Sequence, residues 1–295
     1  MIPPLVHIIW VQGEEHMRVH YPQGVRALSQ WETLHPDFKT TLWSETEYLP
    51  LIKKHFPMLY TLIQTAEPAL PYAFQADAAR MGILKEHGGV YCDIDALPIR
   101  NTEHLLHGAD FVITNLKVSR GERVIMGTDG LLLNNHFIAS SPAHPVWETC
   151  SRLMKADASN WSGPDWPTAT SKIVESPFLE LLGSAVEQHL DSPQMRMVSV
   201  EQTYPTFVSY ATKKLIRQNL HDLDELRRLL PTAVLVEHGG TGQNWRKASA
   251  VTVLKDSYEA LHDYWLIVLV IMFGLVLVLC VAMGVGRFRG RNKYA

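Results

Sequence analysis

The sequence predicts an α/β fold built on a mixed, mostly parallel sheet with flanking helices, followed by one C-terminal transmembrane helix. Three observations carry this reading. Short apolar runs alternate with longer amphipathic segments through most of the chain. Glycine and proline punctuate the changeovers. Leu266 to Val285 is an unbroken apolar stretch without charge, proline, asparagine or glutamine.

Strands are expected at Leu5–Trp10, Phe38–Trp43, Val90–Cys92, Phe111–Leu116, Gly130–Asn134, Met195–Val200 and Ala233–Val236, each a short apolar run bounded by turn formers. Helices are expected at Gln23–Leu34, Glu45–His55, Tyr72–Glu86, Pro145–Lys155, Ser176–Leu190 and Asp222–Leu229, several opened by Pro, Ser or Asp and closed by Gly or Pro. The stretch Ala158–Thr170, rich in Trp, Gly and Pro, reads as a surface loop or lid. No internal repeat is apparent. The expected organisation is one catalytic domain over residues 1–255, a juxtamembrane segment over 256–265, a membrane span over 266–286 and a basic tail over 287–295.

As a helix, the apolar stretch covers roughly 30 Å of hydrocarbon. Tyr264 and Trp265 suit one interface, and Arg287, Arg289, Arg291 and Lys293 suit the other as a positive-inside anchor. The N-terminus lacks the basic lead and long apolar core of a signal peptide, which with an anchor this close to the C-terminus points to a cytosolic catalytic part. The tail charges favour the luminal side instead, and the luminal side is the expectation. Setting the four tail cations aside leaves 23 basic residues (27 less four) against 30 acidic, a charge of −7 that argues against nucleic acid as a partner. The three cysteines, Cys92, Cys150 and Cys280, form neither a disulfide framework nor a zinc-ligand spacing.

The chemistry-bearing segment runs from Asp77 to Asp95. Gly88 and Gly89 stop a helix, because glycine accepts the left-handed backbone a helix end requires. The chain then enters a strand whose carboxyl end carries Asp93 and Asp95. In an extended segment residues two apart point the same way, so these carboxylates can converge where open α/β sheets hold ligands. A diphosphate brought to them would be repelled by about 4 kcal/mol per charge pair at 4 Å and an effective dielectric of 20. A divalent cation, Mn²⁺ or Mg²⁺, resolves that repulsion, since carboxylate and phosphate oxygens are its preferred ligands. A second Asp-x-Asp, Asp222 and Asp224, lies in a helical pattern where residues two apart diverge, and it serves as an internal control. Asp77 and Arg80 share one helix face. Arg80 can offer a planar fork to phosphate or a sugar hydroxyl, and Asp77 can orient it. Whether both reach the strand end depends on the tilt of the helix.

Asp77-x-x-Arg80 followed by Gly88-Gly89-x-Tyr91-x-Asp93-x-Asp95 resembles the core pattern of glycosyltransferase family 32. That family holds initiating mannosyltransferases and the catalytic subunits of mannosyl inositol-phosphorylceramide synthases, and is more distantly similar to clostridial glucosylating toxins. The resemblance extends from Leu5 to about Trp245 and implies a GT-A-like fold and transfer with retained anomeric configuration. It further implies that Asp93 and Asp95 hold the metal and diphosphate, with Asp77, Arg80 and Tyr91 on the donor side. Ile8-Ile9-Trp10 is similar to the family's opening strand, whose aromatic residue lies near the donor nucleotide. Asn134-Asn135-His136-Phe137 is similar to its asparagine segment, which makes Asn135 a donor-side candidate. Glu237-His238-Gly239-Gly240 through Trp245 resembles the C-terminal histidine-to-tryptophan segment, where His238 would complete the metal site and Trp245 would stack near the leaving group. No serine immediately precedes Trp245, a departure from the family's commoner form.

The resemblance implies a nucleotide-sugar donor, GDP-mannose or a UDP-hexose, and a lipid or glycan acceptor near the bilayer, with inositol-phosphorylceramide the specific expectation. A small membrane regulatory subunit and residence in the Golgi belong to the same expectation. Two competing readings are a tethered, non-catalytic sugar-nucleotide-binding subunit and a haloacid-dehalogenase-like phosphatase. The latter fits poorly, because its aspartates normally open the domain.

Overall fold

The computed structural model describes residues 1–66, 70–116, 131–157, 177–205, 208 and 210–237. The chain divides into two units, Met1–Trp245 and Arg246–Ala295, and every described residue lies in the first. The expected membrane span over 266–286, the stretch Ala158–Thr170, His238 and Trp245 lie outside the described residues. Among the described helices none is long and apolar enough to cross a membrane.

Eight strands are described: β1 Leu5–Ile9, β2 Lys39–Trp43, β3 Gly89–Cys92, β4 Ala96–Pro98, β5 Phe111–Asn115, β6 Leu133–Ser140, β7 Met195–Ser199 and β8 Leu235–Glu237. Six form one sheet in the order β2-β1-β3-β6-β5-β7, and β4 pairs with β8 in a second. The β2–β1, β1–β3 and β5–β7 pairs are parallel, while β3–β6 and β5–β6 are antiparallel, so the main sheet is mixed with parallel pairs in the majority.

Alternation along the strands sorts the core into two layers. Val6, Ile8, Val90, Cys92, Val112 and Phe137 face one side, packed with Met17, Tyr21 and Trp31 from helices Glu14–His20 and Pro22–Leu34 and the link between them. Tyr91, Phe111, Ile113 and Ile138 face the other, packed with helices Glu45–His55, Tyr72–His87, Pro145–Ala156 and Pro177–Glu187. The result is a sheet covered on both faces, as a largely parallel sheet requires.

Helix Tyr72–His87 is the central positioning device. Nearly every residue from Phe74 to Leu84 is buried, because the helix is wedged between the sheet and helix Glu45–His55. Gly82 permits that contact: a Cβ there would stand 3.3 Å from backbone atoms of Leu51 and Ile52. Gly88 ends the helix at φ 65° and Gly89 continues at φ 90°. A Cβ on Gly88 would meet Pro142 N at 2.6 Å, and one on Gly89 would meet Leu5 O at 2.8 Å, so both the backbone and the space demand glycine.

Three expectations require correction. β6 runs over Leu133–Ser140 rather than Gly130–Asn134, because its polar residues Asn135 and His136 are satisfied inside the fold and do not break the strand. Helices Glu14–His20, Pro57–Thr65, Glu103–Leu106, Val200–Thr203 and Tyr210–Asn219 and strand β4 add to the expected elements. Asp93 and Asp95 do not sit in extended backbone: Ala96 N donates to Asp93 O at 3.0 Å, closing a turn between β3 and β4.

Candidate functional site

The turn from Asp93 to Ala96 stands at the carboxyl end of β3. Ile94 is buried while Asp93 and Asp95 are half-exposed, so the turn roots its apolar residue in the core and leaves its two carboxylates at the surface. Helix Pro22–Leu34 sits directly on this root, because a Cβ on Gly24 would meet Ile94 Cγ1 at 3.0 Å and Tyr21 Cδ1 at 2.9 Å. On the other side, Asp93 N donates to His136 O of β6 at 2.9 Å.

Asp93 is held by its side chain as well. Its Oδ1 accepts a 2.6 Å hydrogen bond from Tyr91 OH and faces Arg80 Nη2 at 3.3 Å. Among the described residues both contacts fall on Oδ1, which leaves Oδ2 directed elsewhere. Burial first, and then the negative charges of Asp93 and Asp77, raise the Tyr91 pKa well above the ordinary phenol value, against the opposing pull of Arg80, so its hydroxyl stays a donor.

Arg80 is buried, with only 6% of its side chain exposed. Its Nη2 pairs with Asp77 Oδ1 at 2.9 Å, Nη1 donates to Asn135 O at 2.5 Å, Nε donates to Ala76 O at 3.3 Å, and the guanidinium lies 4.4 Å from the centre of the Tyr91 ring. Burial opposes this charge, but Tyr91, Asp93, Asp77 and Asp95 outweigh it and hold the Arg80 pKa above its ordinary value. The helix tilt left open by the sequence thus carries Asp77 and Arg80 to the strand end. The fork of Arg80, however, is turned inward onto protein acceptors rather than toward a ligand phosphate, and its direct effect is to fix Asp93.

Asn135 closes the same network, its Nδ2 donating to Asp77 Oδ1 at 2.8 Å. Trp10 follows β1, the parallel neighbour of β3, and therefore stands at the same end of the sheet. Its ring is stacked on Tyr21 with centroids 5.3 Å apart and planes 3° from parallel. Burial, then the charges of Asp95 and Glu237, raise the Tyr21 pKa, which ties the stacked pair electrostatically to the acidic turn.

Glu237 is a site neighbour that motif reading did not single out. Antiparallel pairing of β4 with β8 sets Glu237 opposite Ala96, next in sequence to Asp95. Only that pairing between distant segments reveals it. The control pair behaves as helix geometry dictates: Asp222 caps helix Leu223–Leu229 by accepting from Glu225 N at 2.9 Å, and Asp224 pairs with Arg227 at 2.6 Å.

These donors suit a hard divalent cation. Two surface carboxylates on one turn, one with an oxygen already pinned, match the usual provision for Mg²⁺ or Mn²⁺, in which one or two protein carboxylates act together with substrate phosphates and water. Among the described residues no group of three or more His, Cys, Asp or Glu side chains could hold an ion alone, so the remaining ligands would come from elsewhere.

Residues 23–112 match the family described as the glycosyltransferase sugar-binding region containing DXD motif. That segment includes the helix Tyr72–His87, strand β3 and the turn that carries Asp93 and Asp95. Asp77, Arg80, Tyr91, Asp93 and Asp95 all fall within the matched residues, while Trp10, Asn135 and Glu237 lie outside them. The chain is similar to an uncharacterized glycosyltransferase of Acanthamoeba polyphaga mimivirus, 32% identical over 164 residues, covering 54% of this chain and 59% of that protein. It is also similar to a mannosyl phosphorylinositol ceramide synthase of Saccharomyces cerevisiae, 26% identical over 164 residues, covering 56% of this chain and 37% of that one. The matched part therefore spans less than two thirds of either relative. Among solved structures, galactosyltransferase LgtC in complex with donor and acceptor sugar analogs matches at 10% identity and a TM-score of 0.40, covering 80% of this chain and 87% of that one.

Proposed function

We propose that the protein is a metal-dependent glycosyltransferase that moves a hexose from a nucleotide sugar to an acceptor with retention of configuration. The observation that carries this reading is the fixed turn: Tyr91 and Arg80 lock one oxygen of Asp93 while Asp93 and Asp95 both remain at the surface. A carboxylate held this way does not have to be reorganised when an ion and a diphosphate arrive, which is how a preorganised site lowers a barrier. A bound Mn²⁺ or Mg²⁺ supplies charge neutralisation of the departing diphosphate.

Each side chain then has a defined task. Asp93 and Asp95 would hold the ion, Arg80 and Tyr91 orient Asp93, and Asp77 with Asn135 orients Arg80 and would contact the donor sugar. His238 is proposed as a further ligand because the described chain reaches Glu237, paired opposite Ala96, immediately before it. Trp10 would face the nucleotide, and the family resemblance gives Trp245 a stacking role beside the leaving group. Acceptor attack on the same face of an oxocarbenium-like sugar requires no carboxylate nucleophile, and the diphosphate can take the acceptor proton.

GDP-mannose is the proposed donor and inositol-phosphorylceramide the proposed acceptor, since relatives are named mannosyl phosphorylinositol ceramide synthase and inositol phosphoceramide mannosyltransferase. A membrane anchor over 266–286, with the catalytic part in the Golgi lumen, fits a lipid acceptor. Incubation of the full-length chain with nucleotide sugars, Mn²⁺ and inositol-phosphorylceramide tests the reading. Mannosylated lipid formed by the wild type and absent with Asp95→Asn supports it, whereas metal-independent transfer or an active Asp95→Asn variant overturns it.

A further inference from the structure

His16 stands at the edge of the Trp10–Tyr21 stack. Trp10 Nε1 donates to His16 Nδ1 at 3.2 Å, and the two ring centroids are 6.1 Å apart. Because Nδ1 accepts, the neutral imidazole must carry its proton on Nε2. No described residue accepts from that Nε2, although His16 is half-buried and its ring lies 4.2 Å from that of His20. Trp10, half-buried and backed by the fully buried Tyr21, thus presents one aromatic ring with a hydrogen-bond donor of fixed polarity at its rim.

Trp10 stands at the same end of the sheet as the acidic turn, since β1 and β3 are parallel neighbours. Tyr21 packs between Trp10 and the Gly24–Ile94 contact, and Ile94 lies between Asp93 and Asp95. A ligand with a flat ring at one end and a diphosphate at the other could span Trp10 and the turn at this end of the sheet. Metal ligation by His16 is disfavoured, because a metal on Nε2 needs Nδ1 to donate, and here Nδ1 accepts.

We propose that His16 is a specificity-determining residue that selects a nucleobase presenting a carbonyl oxygen, as uracil and guanine do, over one presenting an amino group at that edge, as cytosine and adenine do. The inference rests on the nucleotide-sugar reading and deepens it. A fixed N–H pairs with a carbonyl and meets an amino group donor to donor, leaving two unsatisfied polar groups. Such a mismatch costs at least about tenfold in affinity. Trp10 serves as a positioning residue for His16 through the tautomer it imposes.

Titration calorimetry on the full-length chain in detergent with Mn²⁺ tests this, using UDP against CDP, GDP against ADP, and pyrophosphate alone. The wild type should bind whichever carbonyl-bearing nucleotide it takes at least tenfold more tightly than its amino counterpart. His16→Ala should shrink that ratio below about threefold. Trp10→Phe should shrink it too, since the ring remains but the tautomer is released, and thermal melts of both variants establish that they fold. Equal affinities in the wild type, or a tenfold ratio surviving in His16→Ala, overturn the assignment. Pyrophosphate binding without base discrimination sinks the His16 inference alone, whereas failure of every diphosphate to bind with Mn²⁺ sinks the functional reading and the inference together.

Discussion

Replacing Arg80 by methionine removes the charge that ties three elements together at the site. The guanidinium faces Asp77 at 2.9 Å, Asp93 at 3.3 Å and the Asn135 carbonyl at 2.5 Å, with 6% of the side chain exposed. Methionine fills similar volume but leaves Asp77, itself only 17% exposed, without its cation and beside a second carboxylate. Breaking a buried pair from one side costs about 3–5 kcal/mol, a large share of the roughly 5–15 kcal/mol that stabilises a domain. Urea unfolding followed by tryptophan fluorescence measures it. Arg80→Met with Asp77→Asn should be less unstable than the sum of the single variants by about 0.5–3 kcal/mol, because the orphaned charge disappears with its partner. A loss below about 1 kcal/mol for Arg80→Met, with additive behaviour in the double variant, would refute the inward-facing role of Arg80.

Tyr91→Phe should cost about 1.5–3 kcal/mol in the same assay, the worth of a buried hydrogen bond to a carboxylate, and should weaken Mn²⁺ affinity because Asp93 is then held by Arg80 alone. Gly88→Ala should destabilise by more than about 1 kcal/mol, since φ is 65° and the new Cβ would stand 2.6 Å from Pro142 N; an unchanged urea midpoint would contradict this. Asp222→Ala, in the other Asp-x-Asp, should cost about 1 kcal/mol through loss of a helix cap and leave Mn²⁺ binding untouched. For His7, burial lowers the pKa to about 4 from 6.5, against the opposing hydrogen bond to Gly88 O, so the unfolded chain binds more protons between those values. Its contribution is complete above pH 6.5 and is lost as pH falls toward 4, by up to about 3 kcal/mol. His7→Gln should flatten urea midpoints measured across that window.

Strands β1, β3 and β5 were legible in the sequence because each is an apolar run that the fold buries almost throughout. The edge strands β2 and β7, only partly buried, were legible from the shorter apolar stretches that their flanking residues extend. Gly88 and Gly89 were legible because positive φ has few other hosts. What escaped depends on partners far away in the chain. The polar residues of β6 read as loop, yet Asn135 finds Asp77 and His136 Nε2 lies 2.6 Å from Thr203 O. The turn at Asp93 needs Ala96 to bond back, and Glu237 joins the site through pairing of β4 with β8, a contact no periodicity announces. The motif spacing brought Asp77, Arg80 and Asp93 into view together, but the inward direction of the Arg80 fork is set by Asn135, which lies on another strand.

In the proposed function, Asp93 and Asp95 would together hold a divalent ion and, with it, the diphosphate of the donor. Calorimetric titration of Mn²⁺ into the full-length chain, with and without saturating nucleoside diphosphate, measures this directly in the wild type, Asp93→Asn and Asp95→Asn. The wild type should take up one Mn²⁺ more tightly when the diphosphate is present, with both variants losing that enhancement. Equal Mn²⁺ affinity in all three proteins, or no effect of the diphosphate in the wild type, would contradict it.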